Sequence, residues 1–79
     1  MSSYMVEVQC DATDFWYHND MRFDSRSLAQ HVGVRMYQLS VQIHRWRVVE
    51  VDEPPNYTSH PITGAPFFMG LLEKEKEND

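Results

Sequence analysis

Cysteine is nearly missing from this chain. The single Cys10 excludes an intramolecular disulfide framework and leaves no cysteine-rich zinc site. No apolar run approaches the ~18 residues of a membrane-spanning helix. Three glycines are too few for a Gly-rich phosphate loop. The opening MSSYMVEVQC lacks the basic region followed by an apolar block that marks a secretory signal, so a cytoplasmic, reducing setting is expected. His18, His31, His44 and His60 share no metal-ligand spacing with one another or with Cys10. No nucleophile sits in a motif with a base and an orienting acid. The expectation is a protein that is not an enzyme and takes no metal or cofactor.

What is present suffices for one small fold. The chain has 79 residues, 42% hydrophobic and 13% aromatic, and the ten aromatics supply most of what so small a core can bury. A single domain is expected over residues 1–72, with a charged tail at 73–79. The net charge of −5 is unevenly spread. Residues 1–21 carry four acids and no base; residues 22–47 carry all five arginines against Asp24; residues 48–79 carry seven acids against Lys74 and Lys76. A basic middle thus lies between two acidic ends.

Tyr4, Val6 and Val8 alternate with polar neighbours as a strand does. Asp11 to Asp14 reads as a turn, Phe15-Trp16-Tyr17 as a short strand, and Met21-Arg22-Phe23 as its hairpin partner across His18-Asn19-Asp20. Asp24 or Ser25 is a suitable helix N-cap for Leu28, Ala29 and Val32, and Gly33 reads as the stop. A second helical stripe, Met36, Leu39, Ile43 and Trp46, runs within about Arg35 to Arg47. Val48 to Val51 has strand composition, ended by Pro54-Pro55. Thr63 to Pro66 reads as a turn before a last strand, Phe67 to Met69. In that strand one phenylalanine ring is expected in the core and the other outward.

The fold class expected is α+β, with two adjacent helices, short antiparallel hairpins and a winged helix-turn-helix layout. Ala29 allows close approach of the helices, Gly33 makes the turn, and Leu28, Ala29, Val32, Leu39, Ile43 and Trp46 form the shared core. The segment Phe23-Asp24-Ser25-Arg26-Ser27-Leu28-Ala29-Gln30-His31-Val32-Gly33-Val34-Arg35, followed by Leu39 and Ile43, resembles the N-terminal module of phage Rha and antirepressor proteins. The likeness covers about residues 15–47. It implies a small regulatory protein whose helix-turn-helix binds DNA or a regulatory partner.

Two functional readings follow. In the first, Arg35, Gln38, Gln42 and Arg45 form a ridge beside the apolar stripe, where arginine can bridge guanine and glutamine adenine. Arg26, with Arg22 and Arg47, then contacts phosphate. In the second, the chain is an acidic phage inhibitor, similar to anti-CRISPR proteins, that blocks a host nucleic-acid-binding complex by protein contact. Its partner-binding residues are then Glu50, Asp52 and Glu53. A homodimer is compatible with either reading.

Overall fold

Alternation along the first strand sets the architecture. Tyr4, Val6 and Val8 point to one face of β1 (Ser3–Cys10), and Met5, Glu7 and Gln9 to the other. In this computed structural model, which describes residues 1–70, β1 is followed by one helix, α1 (Arg26–Leu39). Three further strands complete the order: β2 (Ile43–Val51), β3 (Tyr57–Ser59) and β4 (Pro66–Phe68). β2 lies antiparallel to β1, with Val6 opposite Val48 and Val8 opposite Trp46. β3 and β4 form a second antiparallel pair. Phe23 joins the two pairs by bridging Tyr4 on one side and Tyr57 on the other.

The α+β class stands, and the layout within it needs correcting. There is one helix among the described residues, not two, so no helix-turn-helix forms. Ser25 caps α1 as its sequence suggests, its hydroxyl accepting from the Leu28 N–H at 3.1 Å. The helix does not stop at Gly33 but continues to Leu39, where the Ser40 N–H bonds the Met36 carbonyl at 3.1 Å. Residues 43–51 then form a strand. Ile43 and Trp46 fit a helical stripe, yet Trp46 and Val48 alternate equally well with Arg45 and Arg47. The β-branched Val48, Val49 and Val51 favour the extended form.

The hairpin expected within residues 15–23 is also absent. Tyr17 and Phe23 instead pair singly with Val8 and Tyr4 along the second edge of β1. The turn at Asp11 does form, with Ala12 at φ 67°. The last strand expected at Phe67 to Met69 is present one residue earlier, as β4, and it pairs with β3, a strand that the sequence pattern did not indicate. Neither phenylalanine of β4 enters the core: Phe67 is half-buried against His60, and Phe68 lies against Tyr57 but stays 43% exposed, each at a 5.4 Å centroid separation. The tail at 73–79 lies outside the described residues.

The core lies between α1 and the inward face of β1 and β2. Val6, Val8, Phe23, Leu28 and Ala29 are buried, and Val32, Met36, Ile43, Trp46 and Val48 pack against them. Leu39, expected in this core, is instead 78% exposed, because no second helix covers the end of α1. The smallness of Ala29 and Gly33 does serve close packing, but the partner is the sheet. A Cβ at Gly33 would overlap Trp46 Cε3 and Cζ3 and stand 3.2 Å from Cδ2.

A substitution at this contact separates helix propensity from packing. Gly33→Ala adds up to ~1 kcal/mol of helix propensity, and forcing a methyl into the Trp46 ring costs about 1–3 kcal/mol. Urea unfolding is expected to show a net loss of stability. In a Trp46→Leu background, where the ring is gone, the same Gly33→Ala change is expected to stabilise. A gain in both backgrounds contradicts the packing described.

Candidate functional site

The ridge expected of Arg35, Gln38, Gln42 and Arg45 does not form. Arg26, Arg35 and Gln38 lie on α1, Gln42 in the turn after it, and Arg45 on β2. Arg45 is opposite Gln9 in the sheet register, on the face turned away from the helix. The spacing that aligned these residues required a helix through Arg45.

Three of the five arginines are taken up within the chain. Arg22 is buried; its Nε donates to Glu53 Oε2 at 3.0 Å and its Nη1 to the Asn19 carbonyl at 2.7 Å. Its backbone meets Asn56 and Tyr57, so it fastens the segment before α1 to the one before β3. The Arg47 Nε donates to Glu7 Oε1 at 2.7 Å, and its guanidinium stacks 4.0 Å from the Trp16 ring centroid. Arg26 lies over the Tyr4 ring at 5.0 Å. Arg35 and Arg45 are exposed and have no ion-pair partner among the described residues.

The acidic residues expected to meet a partner divide similarly. Glu53 is held by Arg22. Asp52 is almost fully exposed and lies 3.3 Å from the terminal amine, a pair too wet to contribute much. Glu50 is exposed on β2 with no ion-pair partner among the described residues. Among the described residues no group of three His, Cys, Asp or Glu side chains converges as a metal site would require.

Concave surface lies beside α1, where no local sequence pattern announces it. A groove of about 360 Å³ runs beside α1, lined by His31, Val32, Arg35, Met36 and Leu39 from the helix and by Ala65 and Pro66 at the start of β4. It adjoins a second hollow of about 340 Å³, which shares His31 and Ala65 and is lined by Ser25, Ser27, Ser59 and Thr63. One side of the helix therefore carries a trough, hydroxyl-rich at the helix start and apolar at its end. Leu39, which lines the apolar end, stands largely exposed, and Val41, two residues further along the chain, is 96% exposed. The signal was the stripe Val32, Met36 and Leu39, which a stop at Gly33 had split between two helices.

No family model, no curated protein and no solved structure matches this chain. Among the described residues no helix is long and apolar enough to cross a membrane.

The two exposed-face arginines of β2 are expected to behave differently. Glu7 keeps only 12% of its side chain exposed, so Arg47→Ala leaves a nearly buried carboxylate unpaired. The expected loss is about 1–3 kcal/mol. Arg45→Ala removes no contact of this kind and is expected to change stability by less than ~0.5 kcal/mol. Denaturant melts of the two variants check the ranking; equal effects contradict the assigned roles.

Proposed function

We propose that this protein is a small phage-type regulatory protein of the cytoplasm that acts by holding another protein. It resembles an acidic inhibitor of a nucleic-acid-binding complex more than a helix-turn-helix reader of DNA. The observation that carries this reading is the trough beside α1. Its apolar end, walled by Val32, Met36 and the largely exposed Leu39, with exposed Val41 two residues on, offers the grouped apolar surface that marks protein contacts, whereas single exposed apolar residues are ordinary.

The occupant is a partner segment with an apolar side chain for Val32, Met36 and Leu39 and a carboxylate for Arg35. Glu50 and Asp52, exposed at the end of β2, steer basic surfaces of such a complex towards the protein. The resemblance of residues 23–35 to Rha and antirepressor modules supports the regulatory role. Major-groove reading is the weaker use, because it asks for a second helix and a shared ridge. The excess of acids also slows approach to phosphate.

The test pairs a capture experiment with a DNA titration. Tagged protein is expected to retain its partner from a bacterial host lysate after nuclease treatment. Leu39→Asp with Val41→Asp is expected to lose that partner by more than tenfold while the thermal melt is unchanged, both positions being exposed. Anisotropy with random duplex DNA at low salt is expected to show no saturable binding. Nuclease-sensitive capture together with tight duplex binding overturns the proposal.

A further inference from the structure

The two outer edges of the β-structure are built differently. At one end β4 is three residues long and opens with Pro66, which has no N–H to offer a visiting strand. At the other end β2 runs for nine residues, IHRWRVVEV, with no proline and no glycine. Its pairing along β1 is regular from Val51 to Arg45, and the irregularity falls only beyond Gln9. Among the described residues β2 pairs with no strand but β1.

The register shows which backbone groups are left over. Tyr4 and Val8 direct their N–H groups away from β2, to the Phe23 and Tyr17 carbonyls. Their cross-strand partners on β2 are Glu50 and Trp46, and Val6 between them faces Val48. These pairs are therefore the ones that exchange no hydrogen bonds across the β1–β2 ladder. The N–H and C=O groups of Trp46, Val48 and Glu50 point off the open edge.

Charge along β2 selects the visitor. The first half carries Arg45 and Arg47, and the second half carries Glu50 and leads to Asp52 and Glu53. An antiparallel copy of the same strand sets each basic half beside an acidic half. A two-fold axis through Arg47 would place two guanidiniums directly opposite, and an axis through Trp46 would set Arg45 against Arg47. An axis through Val48 avoids both. It pairs Val48 with its own copy, Trp46 with Glu50, Arg47 with Val49, and His44 with Asp52. We infer that the open edge of β2 pairs antiparallel with β2 of a second copy of this chain, centred on Val48, as an isologous dimer.

The test uses the full chain in sedimentation velocity over a concentration series, with amide exchange read at the highest concentration. The wild type is expected to pass reversibly from monomer to dimer, and the Trp46, Val48 and Glu50 amides to gain protection as the dimer forms. Glu50→Pro removes one off-edge donor at an exposed position without touching the β1 ladder. It is expected to weaken dimerisation at least tenfold. If that variant fails to fold, the concentration-dependent protection of the three wild-type amides decides alone. A wild type that stays monomeric at millimolar concentration overturns the inference. So does a dimer in which the Val48 amide exchanges as freely as in the monomer.

Discussion

The seat of Trp46 on Gly33 is the constraint on which the rest of this small structure depends. A helix and a sheet can approach closely only where one of them offers no side chain, and α1 does so at Gly33. The indole fills that place and joins β2 to the helix. Val8, opposite Trp46 in the sheet, lies in the same buried cluster as Leu28 and Ala29. A glycine inside a helix weakens it by up to ~1 kcal/mol. Here the weakness is offset by burial of a large ring that no longer side chain at position 33 would permit. Once β2 is fixed by this contact, the helix can have only one neighbour on that side, and the end of α1 is left uncovered. The exposure of Leu39 and the apolar end of the trough both follow.

The uneven charge of the chain has its explanation largely inside the fold. The basic middle segment is flanked by acidic ends, and folding brings members of each together: Arg47 with Glu7, and Arg22 with Glu53. In each pair one partner is nearly buried and the other is open to water. Such a pair restricts which segments can lie side by side, because removing one member leaves the buried one without compensation. What looks along the sequence like a basic surface for DNA is thus mostly a set of fastenings. The sheet face away from the helix keeps Arg45, the helix keeps Arg35, and the acids left outward are Glu50 and Asp52.

Much of the local structure was legible from single residues. Alternation marked β1, the Ser25 hydroxyl marked the start of α1, and the turn at Thr63 to Pro66 marked the approach to β4. The errors share one cause. Gly33 reads as a terminator because glycine favours helix ends, and nothing local announces that an indole thirteen residues later occupies its open side. With α1 cut short, Met36 and Leu39 had to belong to another helix, and Ile43 and Trp46 happen to continue their spacing. Period 2 in Arg45 to Val48 and the β-branched run after it favoured the strand, but short segments satisfy both periods. The trough was hidden for the same reason, since its apolar wall spans the glycine and its far wall comes from residues 65 and 66. The arginine pairs lie 31 and 40 residues apart along the chain, beyond any local pattern.

The most direct measurement is a set of proton–proton contacts in solution across the first two strands. In the register described, Val6 and Val48, and Val8 and Trp46, face each other as pairs without mutual hydrogen bonds, the arrangement that brings α-protons closest. Nuclear Overhauser spectra are expected to show Hα–Hα cross-peaks for both pairs, together with helical contacts that run unbroken through Gly33 and end at Leu39. Helical contacts that continue from Ile43 to Arg47, with both Hα–Hα peaks missing, would contradict the account and restore two helices.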